Sequence, residues 1–173
     1  MQINQSVAEL SARLDAWLNR SLPVFSSENE GVPGSAMRRA IAIMQEFNRL
    51  RAGGMAALRS ALKKRKSITE RQREELLIQA FEFGAKLRHA LHDQFLDTAR
   101  ENKVAKSMHA VVKALDEMRS GRVALAELLD RPDPGVRASA GAYLIDMMPD
   151  RVMPVLRQIE EGNKGSSAGF SAH

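Results

Sequence analysis

The residues best placed to do chemistry form a dense run of basic side chains near the middle of the chain. Five lie within eight positions and two follow shortly after: Arg59, Lys63, Lys64, Arg65, Lys66, Arg71 and Arg73. Between residues 38 and 75, eleven cations stand against four carboxylates, a net of +7 in a chain whose total is +5. Lysine and arginine bind phosphate backbones with release of counterions, and the same field attracts an acidic protein surface. The run predicts either an anionic partner or a solvated helix face.

Two histidines offer a different chemistry. His89 and His92 are three residues apart, so on a helix they share a face, and Glu82 or Asp93 could add an oxygen ligand for a metal. The sequence does not repeat the Glu-x-x-His pair that di-metal carboxylate bundles use. We therefore expect histidines that face solvent or form hydrogen bonds, and neither a metal nor a cofactor.

Patterns that mark an enzyme are missing from the sequence. The chain contains no cysteine, which excludes disulfides, thiolate catalysis and Cys-based metal centres. No serine lies in a Gly-x-Ser-x-Gly elbow between a predicted strand and a helix, and Gly53-Gly54 is not followed by the Gly-Lys-Ser or Gly-Lys-Thr of a phosphate loop. We predict that the protein is not an enzyme and has no catalytic residues.

The elements that position these residues are predicted to be helices. Leu, Ala and Met dominate the apolar residues while aromatic residues reach only 5%, a mixture that favours helices over strands. Ser6 with Glu9 forms a capping-box pattern, Ser35 is a further candidate for a helix cap, and either Thr69 or Ser67 is expected to cap the helix that follows the basic run. Gly53-Gly54 should end or bend its helix because glycine weakens a helix interior. Gly84, on an apolar face, predicts that another backbone approaches closely.

The predicted fold class is all-α, built of antiparallel helix pairs. The C-terminal part is predicted to be HEAT-like or α-solenoid-like, with an N-terminal helical extension. The segments are an N-terminal helix (1–20), a linker loop (21–34), a helical bundle segment with a basic face (35–101), HEAT-like repeats (102–161) and a flexible tail (162–173).

A resemblance supports the repeats. The segment 128–140, LLDRPDPGVRASA, resembles a HEAT-like repeat, in which a Leu-Leu helix end meets an Asp-Pro turn before a Val-Arg helix start. The stretch 102–159 resembles a small bacterial family of unknown function, several members of which accompany toxin genes. The resemblance implies that Asp133, followed by Pro134, caps a helix and that Arg137 bridges to a neighbouring element. Most other matching positions are implied to be packing or turn residues.

Length and hydropathy bound the location. A chain of 173 residues is long enough for one compact domain, or for a small helical domain with a second helical unit. No run approaches the roughly 18 apolar residues that a membrane span requires, and the first residues do not resemble a secretory signal. We expect a cytoplasmic protein with no membrane partner, whose oligomeric state the sequence does not indicate.

These patterns predict a non-catalytic protein-binding module, most concretely an immunity protein that binds and neutralises a cognate bacterial toxin. The alternative is a nucleic-acid-binding helical protein that uses the basic residues 38–75. The only aromatic residue among them, Phe47, belongs to the predicted apolar stripe of its helix and is not placed to stack on bases, which disfavours single-stranded nucleic acid. A third reading, a HEAT-like base-excision or hydrolytic enzyme, needs an acidic residue and an aromatic pair that the sequence does not place.

Overall fold

A computed structural model describes residues 6–26, 33–63 and 68–167, and every regular element in these ranges is a helix. In chain order they are α1 (Val7–Ser26), α2 (Pro33–Lys63), α3 (Glu70–Phe95), α4 (Thr98–Asp116), a 3-10 helix (Gly121–Asp130), α5 (Pro134–Leu144) and α6 (Pro149–Ser167). The predicted all-α class is confirmed, whereas the HEAT-like arrangement stays a prediction. None of these described helices carries an apolar stretch long enough to cross a bilayer.

The chain divides into two compact units between Val111 and Val112, inside α4. In the first unit, α1, α2 and α3 pack against one another as a three-helix bundle. Trp17 lies in its core, where the indole Nε1 donates a hydrogen bond to the Ile43 carbonyl at 3.1 Å and the ring centroid lies 4.7 Å from that of Phe47. A buried indole needs such a hydrogen-bond acceptor, so this bond fixes how α1 lies on α2.

Helix starts in the first unit follow local side-chain chemistry. Ser6 and Glu9 bond reciprocally to each other's backbone N–H at 3.2 and 3.1 Å, which confirms the capping box at the start of α1. Thr69 does the same with Gln72 at the start of α3. Ser35, by contrast, lies inside α2, which begins at Pro33; the prediction of a cap there is wrong, because proline is well tolerated as a first helical residue.

Much of the predicted linker 21–34 is helical. Helix α1 continues to Ser26 and α2 begins at Pro33, which leaves 27–32 outside the described residues. Helix α2 also runs through Gly53 and Gly54, so the expectation of a helix end there is wrong. Each glycine costs about 1 kcal/mol in a helix, and the packing of α2 against both other helices offsets that cost.

Gly54 has a packing reason to be glycine. A Cβ atom built on it would lie 1.9 Å from Cε1 of the fully buried Phe83 on α3. Gly84 has a similar role, because a Cβ there would lie 2.8 Å from Cγ of Met108 on α4. The neighbour that approaches Gly84 is thus a side chain and not the predicted backbone.

In the second unit the 3-10 helix packs on α5, and α5 packs on α6. Asp133 Oδ1 accepts a hydrogen bond from the Val136 N–H at 2.9 Å, and Pro134 is the first residue of α5. Arg137 Nη1 donates to Gln158 Oε1 of α6 at 3.0 Å. The structure therefore places Asp133 at a helix cap and Arg137 across a helix pair.

Two details of this unit differ from expectation. The apolar spacing from Val136 through Leu144 predicts that Met147 also faces inward. Met147 is instead 53% exposed, because it lies in the turn after α5, where helical spacing no longer sets its direction. Helix α6 runs to Ser167, so the first six residues of the predicted tail are helical and 168–173 lie outside the description.

The turn between α3 and α4 stores local strain. Leu96 has φ 49 and a side chain that is 80% exposed, and a non-glycine residue in this left-handed region costs about 1–2 kcal/mol. Glycine removes this strain but loses more chain entropy on folding, which offsets part of the gain. We expect Leu96→Gly to raise the free energy of unfolding by the difference, roughly 0.5–1 kcal/mol, in urea denaturation. Leu96→Ala keeps the strain and is the control; a glycine variant no more stable than this alanine variant would contradict the expectation.

Candidate functional site

The described part of the predicted basic run lies in the last turns of α2 and the first turns of α3. Arg59 and Lys63 are exposed on the last turns of α2. Arg71 is exposed and Arg73 is half-buried within the first two turns of α3. Lys64, Arg65 and Lys66 lie outside the described residues, so the centre of the predicted run has no structural account.

A continuous exposed stripe runs along α2 and ends in this basic region. Its positions alternate four and three residues apart, which keeps them on one side of the helix. All eight are exposed: Arg38, Ala42, Gln45, Arg49, Ala52, Ala56, Arg59 and Lys63. We call this set the α2 face. At about 1.5 Å per residue it is about 37 Å long.

The α2 face is positive along its whole length. Glu46, the one acidic residue of α2, is half-buried outside the face, and its Oε1 accepts from Arg20 Nη2 of α1 at 2.9 Å. Within the described part of the chain, Arg49, Arg59 and Lys63 form no ion pair. Their charges are therefore available to a partner.

Small residues separate the cations of the α2 face. Ala52 and Ala56 lie one turn apart near its middle, with Arg49 about one turn before them and Arg59 about one turn after. A partner can approach the helix backbone closely at the alanines while acidic groups reach the arginines on either side. The number of charges along the sequence does not reveal this face. The four-and-three spacing of polar and small residues, opposite the buried side of the helix, was the signal that could have found it.

Some guanidinium groups of the first unit lack hydrogen-bond acceptors. Nε and Nη2 of Arg73, and Nε of Arg51, are buried without a partner among the described residues. A buried N–H group without an acceptor is costly, so an oxygen acceptor would stabilise these groups. They add to the positive potential of this unit.

A second polar cluster joins α1 to α3. Lys86 is 7% exposed and is the one charged residue that is buried among the described side chains. Its Nζ lies 3.0 Å from Asp15 Oδ2, 3.1 Å from Ser11 Oγ and 3.3 Å from Glu82 Oε1. A Ser-Lys pair can act in nucleophilic catalysis when the lysine serves as a base. Here the ammonium has three oxygen acceptors, so the cluster fastens α1 to α3 and does not activate Ser11.

The histidines that the structure describes form contacts with neighbours or are exposed. His92 Nδ1 lies 3.2 Å from Glu101 Oε2, and Arg88 Nε donates to Glu101 Oε1 at 3.0 Å. Burial raises the pKa of Glu101, but the hydrogen bonds from His92 and Arg88 outweigh it and leave the pKa below its usual value. His89 is exposed, and Glu82 is held by Lys86. Among the side chains that the structure describes, no three His, Asp or Glu residues are grouped to bind a metal.

Comparisons of the chain with family models, with curated proteins and with solved structures gave no match. The α2 face and the Lys86 cluster are therefore the features from which the function of this chain can be argued. Lys86 of α3 is buried against α1, whereas the α2 face is exposed to solvent. Of the two, the α2 face is the one that a macromolecule can reach.

Proposed function

We propose that this chain is a non-catalytic binding protein that recognises an acidic surface of a protein partner. The observation that carries the proposal is the α2 face, where four cations and no carboxylate lie along one exposed side of a helix. Charge complementarity of this kind speeds association and excludes wrong partners. Arginine is enriched at protein interfaces and among the residues that contribute most to binding.

In its narrower form the proposal is that the partner is a bacterial toxin domain and that this chain is its immunity protein. The support is the resemblance of the segment 128–140 to a HEAT-like repeat and the toxin association of the family that 102–159 resembles. An immunity protein needs only to cover its target, so it needs no catalytic group. The α2 face would then lie against acidic residues of the toxin.

Nucleic acid is the second candidate partner, because the same exposed cations could contact phosphates. Binding to nucleic acid predicts a characteristic dependence of the affinity on salt. Affinity for duplex DNA should fall steeply and linearly on a logarithmic scale as salt increases, since each phosphate contact releases counterions. The affinity for an acidic protein surface should fall less steeply with salt, because close ion pairs at an interface are partly shielded from solvent.

The test is reversal of charge on the α2 face. We expect a complex between this chain and the product of the neighbouring reading frame in size-exclusion chromatography. The triple variant R49E/R59E/K63E should weaken the affinity by roughly 100-fold, because three favourable contacts become repulsive. The matched control is K103E/K106E/K113E, which reverses three exposed lysines on α4 and should bind within roughly threefold of the wild type.

Three outcomes would count against the proposal. If the neighbouring product forms no complex, the immunity function is wrong. If both triple variants lose affinity equally, net charge is the cause and the α2 face has no specific role. If the wild type binds a random-sequence duplex more tightly than the protein at about 200 mM salt, the nucleic-acid reading replaces it.

A further inference from the structure

We propose that the α2 face is the docking site for an acidic α-helix of the partner, which lies along α2. This inference rests on the proposed function and specifies the chemistry of the partner. It is carried by two features of the face: the spacing of its exposed positions and its charge. Each feature favours a helix over another acidic shape.

The spacing is the one that helices use to stay in contact. Exposed positions that alternate four and three residues apart average 3.5 residues, the repeat at which two helices keep facing each other. Two parallel rows result, one containing Arg38, Gln45, Ala52 and Arg59, the other containing Ala42, Arg49, Ala56 and Lys63. A second helix can lie between these rows.

The charges lie where a helical partner can meet them. Ala52 and Ala56 form a gap in the middle of the face, and helices whose contact residues are small approach to about 8 Å between axes. From that gap, Arg49 and Arg59 each lie about one turn away, and Lys63 lies one turn further. On the partner helix, carboxylates that are three or four residues apart are also separated by about one helical turn. Cations of the α2 face and carboxylates of the partner would thus pair on both sides of the close approach.

A duplex fits the face less well. The major groove is about 12 Å wide and winds around the axis, whereas the cations of the α2 face lie along one side of a single continuous helix. Over about 37 Å such a row of cations leaves the groove, because that distance is about one full turn of B-DNA. A partner helix that packs along α2 at a repeat of 3.5 residues stays beside the α2 face over the same distance.

The affinity should be moderate. Exposed ion pairs contribute about 0.2–1 kcal/mol each, and close packing over the alanines adds the burial of apolar surface. We expect a dissociation constant on the order of micromolar for an isolated helix. A full partner protein would bind more tightly because it buries more surface around the same contact.

The experiment uses synthetic peptides as probes for the full chain. The first peptide has about four heptads, and two positions of each heptad face α2. These positions are glutamate in the outer heptads and alanine in the middle heptads. The second peptide has the same composition, but its glutamates are scattered around the helix. Fluorescence anisotropy should show the first binding at least roughly tenfold more tightly than the second. A random-sequence duplex serves as the third probe.

Steric variants separate helix docking from general attraction between charges. We expect A52Q/A56Q, which leaves the net charge unchanged, to weaken binding of the matched peptide by at least roughly tenfold, since it blocks close approach. Binding of the duplex should stay the same. The matched control is A99Q/A142Q, at exposed alanines of α4 and α5, and circular dichroism verifies that each variant folds.

The outcomes distinguish this inference from the function it rests on. Equal binding of both peptides, or no effect of A52Q/A56Q on the matched peptide, would overturn helix docking. Suppose that the peptides give either of those results while the full proteins form a complex that R49E/R59E/K63E disrupts. The proposed function would then hold, and only the docking of a partner helix would be wrong. If the full proteins form no complex at all, the proposed function fails whatever the peptides do.

Discussion

Gly54→Ala should lower the free energy of unfolding by about 2 kcal/mol. The new Cβ would lie 1.9 Å from Cε1 and 2.5 Å from Cζ of Phe83, whose ring is fully buried. Overpacking of this kind costs about 1–3 kcal/mol, and the overlap is severe enough to place it at the upper end. Alanine recovers about 1 kcal/mol through its better helix propensity. The midpoint and slope of urea unfolding, compared with the wild type, measure the balance.

Other glycines in helices provide the controls for Gly54→Ala. A Cβ on Gly53 would lie 3.3 Å from Cδ2 of Leu10, the flexible end of a side chain, so Gly53→Ala should be neutral or stabilising by up to about 1 kcal/mol. Gly162 has nothing within 4 Å, so the same change there meets no obstacle. Phe83→Leu should partly rescue Gly54→Ala in a double-mutant cycle. Equal stability of Gly53→Ala and Gly54→Ala would show that α2 and α3 do not meet at Gly54.

Removing both counter-charges of Lys86 should cost about 2–3 kcal/mol. The double variant D15N/E82Q leaves an ammonium whose side chain is 9% exposed without an anion. Breaking a fully buried ion pair costs about 3–5 kcal/mol, and the 47% exposure of Asp15 reduces that figure here. Lys86→Met should cost less than the double variant, because the carboxylates that it leaves without a cation, Asp15 and Glu82, are 47% and 18% exposed and keep more contact with water than Lys86 does at 9%. Urea unfolding of both variants gives the comparison.

A triple variant identifies the cause of the loss. If the unpaired charge is responsible, adding Lys86→Met to D15N/E82Q should recover most of the stability. Glu127→Gln is the matched control, because its ion pair with Arg131 has both side chains about half exposed and should contribute less than about 0.5 kcal/mol. A triple variant as unstable as the double would mean that Asp15 and Glu82 act through packing and not through charge.

Both expected effects concern how the α2 face is presented. Helices α1 and α3 cover the other sides of α2, and they are joined to each other through Lys86. Gly54 allows α3 to pack close beneath the middle of α2, near Ala52 and Ala56. The Lys86 and Gly54 variants should therefore change stability, whereas R49E/R59E/K63E should change binding. Measuring both properties for each variant separates the two roles.

Local patterns in the sequence were enough to determine the all-α class and several helix starts. The capping boxes of Ser6 with Glu9 and of Thr69 with Gln72 each lie within four consecutive residues, so neighbours along the chain decide them. Helical spacing of apolar residues is equally local. Charge was local too, and the basic run was visible as a run, although its centre at 64–66 lies outside the described residues.

Only the tertiary structure decided which of these residues matter to one another. Gly53 and Gly54 looked like a helix end because glycine is a poor helix former, yet Phe83, 29 positions further on, explains the glycine at 54. Lys86 finds Asp15 at a separation of 71 residues, which no local pattern indicates. The α2 face exists because α1 and α3 cover the other sides of α2. Contacts between distant residues are decided by packing, and packing overrides local propensity wherever it buries more surface than the propensity costs.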